Sequence, residues 1–351
     1  MNTSVIDLRP LNLADMDALR PAAECIRRGG LVVFPTETVY GLGADATNPE
    51  AVKAIYSAKG RPSDNPLIIH ISDPAEAEKY TWVNSVYYVL ARRFMPGPLT
   101  VVLRSRENIP SVTRGGLETV AVRCPSDPVA RELIRLSGTP IAAPSANISG
   151  SPSPTAPSHV IKDMMGRVDY IISAGECEVG LESTIVSISD GLDSLTVLRP
   201  GRITADELHE ATGLPVIVSA QVTDGLKDGE IALSPGMKYR HYAPHSDLIL
   251  LDGNRDKCAE YILKSGQSKI AIISYSEDKD YYSKTIACAD LFDFGPMADM
   301  DAHARVLFNL LRMADCEDYD AIYAPVPTLD GIGLALYNRM IRAAAHKIIR
   351  L

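Results

Sequence analysis

Ala58-Lys59-Gly60-Arg61-Pro62-Ser63-Asp64-Asn65-Pro66-Leu67-Ile68-Ile69-His70 is the stretch around which this chain is organised. Its two cations flank a glycine and precede a proline, so neither belongs in a regular helix interior, and the reading is a shaped loop. The apolar run Leu67-Ile68-Ile69 follows as a buried strand that fixes the loop to the core and leaves His70 near its far end. Fixed cations on a rigid base suit a multiply charged anion, whereas a Lys-x-Arg pair taken alone reads as a solvated turn.

Its company separates this pair from a solvated turn. Upstream, Phe34-Pro35-Thr36-Glu37-Thr38-Val39-Tyr40-Gly41-Leu42-Gly43 is a strand ending in a loop dense with hydroxyls and glycines, with one carboxylate. Downstream, the apolar strand before Ala143-Pro144-Ser145-Ala146-Asn147 stops on two small polar side chains. If these strands share one sheet, three polar strand ends converge.

The chain has 351 residues, 46% of them hydrophobic, which is enough for a large core and points to two domains. A formal charge of −9 excludes a surface that grips nucleic acid throughout and leaves room for a local basic site. The six cysteines, at 25, 124, 177, 258, 288 and 316, show no Cys-x-x-Cys spacing. They read as reduced thiols in a cytoplasmic protein, without a structural zinc site. Residues 1–13 carry no pattern of a signal peptide or membrane helix, so Asn147-Ile148-Ser149 is not read as a glycosylation site.

Helices are expected at 15–28, 49–58, 83–94 and 128–136, and strands at 31–34, 67–69, 99–103, 119–123, 141–143, 168–173, 183–188 and 195–198. The N-terminal unit is therefore mixed α/β, with helices on a twisted sheet whose strands need not all be parallel. From Thr204 to about His245 the pattern weakens, and Ser234-Pro235-Gly236-Met237-Lys238-Tyr239-Arg240-His241-Tyr242-Ala243-Pro244 reads as a linker rich enough in Tyr, Lys, Arg and His to pack on something. Beyond it, strands at 248–252, 269–274, 285–289 and 319–324 alternate with helices at 255–264, 301–314 and 333–348. This predicts a small parallel, three-layer, Rossmann-like domain with no chemical motif of its own.

Several motifs fail on context. Gly41-Leu42-Gly43-Ala44-Asp45-Ala46 fits G-x-G-x-x-A but lacks the strand–turn–helix setting of a dinucleotide site, and no Walker loop occurs. Ser145 is not in a G-x-S-x-G elbow, and Pro244 stands between His241 and His245, so a helical metal pair is not expected there. Arg123 and Arg199 each end an apolar strand, where a charged residue is either rim or binding group.

Taken together, Pro35 to Leu42, Lys59-Gly60-Arg61, Pro96-Gly97-Pro98-Leu99-Thr100, Val120-Ala121-Val122-Arg123, Pro144-Ser145-Ala146-Asn147 and Glu182-Ser183-Thr184-Ile185 resemble the YrdC-like family, block by block and in order. The segment 234–244 and the α/β tail resemble its long, two-domain, archaeal and eukaryal-type threonylcarbamoyl-adenylate synthases. The resemblance implies a YrdC-like catalytic domain at 12–205, a linker covering the active site at 206–247 and a C-terminal α/β domain at 248–351. It implies that L-threonine, bicarbonate and ATP, with Mg²⁺, give threonylcarbamoyl-adenylate and pyrophosphate, with no tightly bound organic cofactor and no metal ligands from the protein. The adenylate would supply a KEOPS-type transferase that modifies tRNA, so this chain itself need not hold nucleic acid tightly. Lys59 and Arg61 would be catalytic; Lys59, Arg61, Ser63, Thr113, Ser145, Asn147, Arg199 and Tyr239 would meet ATP. Thr36, His70, Arg123 and Ser183 would hold threonine, and Tyr239, His241 and Tyr242 would form a lid. Two rivals are a carbamoyl-adenylate-forming maturation factor, disfavoured by the missing Cys-x-x-Cys, and a non-catalytic RNA-binding or ribosome-assembly protein.

Overall fold

The computed structural model describes residues 2–63, 65–224 and 242–351. They divide into two compact units, Met1–Ser149 with Ser153–Tyr239, and Gly150–Pro152 with Arg240–Leu351.

The first unit contains β1 (Ser4–Asp7), α1 (Arg20–Arg27), β2 (Val32–Phe34), β3 (Gly41–Asp45), α2 (Pro49–Lys59), β4 (Ile68–His70), α3 (Ala77–Tyr80), β5 (Thr81–Trp82), α4 (Ser85–Phe94), β6 (Leu99–Ser105), β7 (Thr119–Arg123), α5 (Pro128–Ser137), β8 (Ile141–Ala142), α6 (Pro157–Met164), β9 (Tyr170–Ser173), β10 (Thr184–Ile188), β11 (Leu195–Arg199), α7 (Ala205–Thr212), β12 (Val216–Val218) and α8 (Gln221–Asp224). Its twelve-stranded mixed sheet runs β1-β9-β2-β3-β8-β4-β7-β6-β10-β11-β12, with β5 paired to β6. The glycines of the rejected dinucleotide motif lie on β3, antiparallel to β2 and β8.

Local chemistry sets the helices that matter for the site. Asn48 caps α2 by accepting from the Glu50 and Ala51 amides, Pro49 opens it, and Gly60, at φ 62°, closes it in the left-handed conformation that a side chain would strain. Lys59 is thus the last residue of α2, not a loop residue, and Arg61 is the first to leave it. Asp127 caps α5 in the same way, accepting from the Ala130 amide.

One face of β4, β7, β6 and β10 presents Ile69, Val122, Val101 and Val186 to the main core, packed with residues of α2 and α4. The opposite face carries a small separate cluster of Ile68, Ala121, Ile185 and Leu198, drawn from strands alone. Because alternate residues share a face, His70, Arg123 and Thr100 stand beside that small cluster.

The first unit also reaches further in both directions than the spans 12–205 expect. β1 is a parallel edge strand on β9, and α7, closed by a Thr204–Glu207 capping box, leads into β12, paired with β11. Residues 205–224 therefore carry regular structure where a linker from 206 is expected.

The second unit contains β13 (Leu248–Asp252), α9 (Arg255–Lys264), β14 (Ile270–Ser274), α10 (Ser276–Thr285), β15 (Ala289–Asp293), α11 (Met300–Ala314), β16 (Ala321–Pro325), α12 (Gly331–Ala343) and β17 (Ile348–Arg350). Its five strands are all parallel, in the order β15-β14-β16-β13-β17. Gly150–Pro152 joins this unit: the Ala243 amide donates to the Gly150 carbonyl, and the Arg312 guanidinium to that of Pro152 at 2.6 Å. The strand expected at 285–289 is shifted: Thr285 ends α10, and β15 begins at Ala289, four residues later; the helix expected to run to 348 stops at Ala343 and gives way to β17.

Candidate functional site

Sheet register builds one half of the site. β8, β4, β7, β6, β10 and β11 align Ile141, His70, Arg123, Thr100, Ile185 and Arg199 in one row across the sheet. Ser183, just before β10, links two members of that row: the Thr100 and Ser183 hydroxyls are 2.7 Å apart, and Arg199 donates from Nε to the Ser183 carbonyl and from its terminal nitrogen to Ser183 Oγ, both at 3.1 Å. Arg199, expected on the nucleotide side, is therefore bonded to Ser183 of the threonine set.

Arg123 is not a free carboxylate clamp. Its guanidinium lies 2.9 Å from Glu37 Oε1, with both side chains about 95% buried (4% and 5% exposed). The pair is incompletely satisfied, because Glu37 Oε1 and Oε2 and Arg123 Nε and one terminal nitrogen are buried without an aligned hydrogen bond. Such unmet polar atoms are costly and rare, and they mark where a polar ligand would be accommodated. Burial, reinforced by Arg123, pushes the His70 imidazole down to about 3, so the ring is neutral at physiological pH; Nδ1 is 3.3 Å from the Ile141 carbonyl. Asp127 is pushed up to about 6, mainly by burial, and Glu37 adds to the shift. Burial likewise raises the Cys177 thiol well above its ordinary range, so it is no nucleophile at neutral pH.

Lys59 builds the other half. Its side chain is buried, and Nζ donates to the carbonyls of Ser145 and of Asn147 (2.6 Å) and approaches Asn147 Oδ1 at 3.4 Å. Ser145 Oγ donates to Asn147 Oδ1 at 2.6 Å. Backbone bonds from Leu42 N to Pro144 O and from Ala146 N to Tyr40 O join this turn to the segment that follows Thr36 and Glu37, and Ser149 N to Lys59 O joins it to the end of α2. Two of the three polar strand ends are thus joined directly, and the third, at His70, lies in register with Arg123, which contacts Glu37.

The remaining predicted residues are less central in this geometry. Thr36 Oγ1 donates to the Val39 carbonyl at 2.6 Å and accepts from the Val39 amide at 3.2 Å, so it shapes its own turn. Thr113 is buried and donates to the Ala46 carbonyl, while its own carbonyl accepts from Leu67 N, which secures the end of the Lys-x-Arg loop. Arg61 lies 3.3–3.4 Å from the Asn65 and Pro66 carbonyls, and Ser63 is exposed. Tyr239 and His241 lie outside the described residues. Tyr242, expected in a lid, is buried with its ring 5.1 Å from Phe308 of the second unit.

Sequence reading missed Glu37, Thr100 and Asn65 as site residues. Asn65 is buried with both amide atoms unpartnered. Glu37 was signalled only as the single carboxylate in a hydroxyl-rich loop, since its partner is far away in the sequence.

Family models match both parts of the chain. Residues 24–201 match one for Sua5, YciO and YrdC, described as telomere recombination, and residues 203–345 match the threonylcarbamoyl-AMP synthase C-terminal domain. The threonylcarbamoyl-AMP synthase of Pyrococcus abyssi is 43% identical over 343 residues, covering 95% of each chain. That of Bacillus subtilis is 42% identical over 334 residues, covering 94% of this chain and 93% of the relative. The chain belongs to the threonylcarbamoyl-AMP synthase family. This is a family of nucleotidyltransferase-type enzymes, and the Bacillus relative shows that its long form also occurs in a bacterium. The crystal structure of Pyrococcus abyssi Sua5 complexed with L-threonine superposes with a TM-score of 0.88 at 40% identity and covers 100% of both chains.

Proposed function

We propose that the chain condenses L-threonine, bicarbonate and MgATP into threonylcarbamoyl-AMP and pyrophosphate. The supporting observation is the buried Glu37–Arg123 pair with polar valences left open, in register with neutral His70 and beside the Thr100–Ser183–Arg199 network. An amino acid carries one cationic and one anionic end, and a half-satisfied ion pair offers a complement to each.

Arg123 and Ser183 take the threonine carboxylate, and His70, being neutral, contributes a hydrogen bond rather than a charge. The threonine amine adds to bicarbonate with loss of water, giving an N-carboxy group. A carboxylate oxygen of that group attacks the α-phosphorus of ATP, the bond to the β-phosphate oxygen breaks, and pyrophosphate leaves. Two anions must meet, so Lys59 and Arg61 lower the repulsion and stabilise charge in the transition state. Ser145 and Asn147 are fixed by Lys59 and line the nucleotide side with Thr113 and Ser63. Arg199 joins the two sides through Ser183. Among the described residues no cluster of three His, Cys, Asp or Glu side chains forms a metal site; in this proposal Mg²⁺ arrives on the ATP phosphates.

The product is a mixed anhydride that water would destroy, and Tyr239 and His241 are proposed to close over it. It passes to a KEOPS-type tRNA threonylcarbamoyl transferase for t⁶A synthesis, in the cytoplasm. An RNA-binding role fits poorly, because Lys59, Arg123 and Arg199 are all buried (3%, 4% and 8% exposed), whereas a phosphate backbone is met by exposed cations. Pyrophosphate release from ATP, measured with and without L-threonine and bicarbonate, tests the proposal: release that requires both supports it, and release indifferent to threonine overturns it.

A further inference from the structure

The second unit, to which the sequence assigns no chemistry, holds a cavity of about 340 Å³ at the carboxyl ends of β13, β14 and β16. This is the low end of the range for small-molecule sites, roughly 300–1,000 Å³. Its position follows from topology. β14 and β16 are neighbours, yet the chain leaves β14 towards β15 on one side and leaves β16 towards β17 on the other. Adjacent parallel strands whose connections part in opposite directions leave a crevice beyond their carboxyl ends, where ligands of open α/β sheets bind.

The wall of this crevice is built for a ligand with distinct parts. Leu251, Ile262, Ile272, Tyr282 and Tyr323 line it as an apolar and aromatic floor. Ser274, the last residue of β14, shares its strand face with Ile270 and Ile272; it is only 3% exposed, and its hydroxyl has no hydrogen-bond partner. A buried hydroxyl on a cavity wall with nothing to bond is the group a ligand hydroxyl would satisfy. Two ten-residue helices, α9 and α10, begin at the same rim: Asn254 caps α9 by accepting from the Lys257 amide, and the Ser276 and Asp278 amides of α10 donate to the Gly295 and Tyr275 carbonyls. Arg255, the first residue of α9, holds its guanidinium 4.8 Å from the centre of the Tyr281 ring and 3.4 Å from Asp278 Oδ1. The rim therefore offers one guanidinium and one carboxylate beside an apolar floor.

We propose that this cavity is a second binding site, for a nucleoside 5′-monophosphate: the base on the apolar floor, ribose hydroxyls on Ser274 and Asp278, and the phosphate at Arg255. The site belongs to the second unit alone and does not depend on the reaction assigned to the first.

Hydrogen exchange of the full chain, followed by mass spectrometry with AMP, adenosine or inorganic phosphate added, tests this. AMP should slow exchange in peptides covering 253–258 and 274–278, more than adenosine does, and the effect should persist in Lys59→Ala. In Arg255→Ala, altered at a half-exposed side chain, AMP affinity read from the same peptides should fall roughly tenfold, as expected for one charge-assisted contact. Protection confined to the first unit, equal protection by adenosine and AMP, or no protection at millimolar AMP would overturn the proposal.

Discussion

Breaking the Glu37–Arg123 pair from both sides should destabilise the first unit by clearly less than the two single breaks added together. At 2.9 Å and an effective dielectric constant near 20, the attraction is roughly 6 kcal/mol, set against the desolvation of two charges that are almost fully buried. Glu37→Gln leaves an unpaired guanidinium and Arg123→Met an unpaired carboxylate in the same buried space. Each should cost about 3–5 kcal/mol, the usual penalty for stranding one member of a buried pair. The double variant strands neither and should cost clearly less than the sum, giving a coupling energy of at least about 2 kcal/mol. The chain has a single tryptophan, Trp82, on β5 of the first unit under the Arg106 guanidinium at 3.9 Å, so urea unfolding followed by its fluorescence reports this unit. Single variants within about 1 kcal/mol of the parent, or costs that add to within about 0.5 kcal/mol, would refute the reasoning.

Three further outcomes are expected. The ring-carbon NMR signals of His70 should not titrate between pH 8 and pH 5, because its imidazole is pushed down to about 3; a midpoint near the ordinary value of about 6.5 would contradict the burial argument. A depressed folded value means the contribution of His70 to stability is lost as pH falls from about 6.5 towards 3, while Asp127, raised to about 6, stabilises the fold as pH falls through 6; the two oppose each other in a melting curve, so NMR is the discriminating measurement. Gly201→Ala should lower the stability of the first unit by about 1–3 kcal/mol by the same fluorescence assay, since a β-carbon there would lie 2.4 Å from the Thr184 amide nitrogen and 2.7 Å from the Glu182 carbonyl. Lys59→Met should cut pyrophosphate release at least roughly 100-fold, by removing a preorganised cation and leaving the Ser145 and Asn147 carbonyls without their donor.

What the sequence revealed and what it hid follow from how local each signal is. The start and end of α2 are written in Asn48, Pro49 and Gly60, and the apolar runs at 67–69, 119–123 and 141–143 mark strands whose ends gather the polar residues. α10 was invisible because Ser276–Thr285 is almost wholly polar, with Tyr282 its one buried residue, so no apolar stripe repeats at helical spacing. β17 was hidden because nothing apolar or polar breaks between α12 and the chain end; the break is conformational, with Ala345 and His346 at φ 48° and 64°. The pairing of Arg123 with Glu37, and of Arg199 with Ser183, depends on sheet register between strands distant in the chain, which no local pattern encodes. The sequence therefore pointed to the right strand ends without saying which side chains would meet.

The most direct test of the central claim is to incubate the full chain with MgATP, L-threonine and ¹³C-bicarbonate and to examine the nucleotide products by mass spectrometry. The account predicts threonylcarbamoyl-AMP carrying one ¹³C, formed together with pyrophosphate and absent when threonine is left out. An adenylate without the label, the same product without threonine, or no adenylate at all would contradict it.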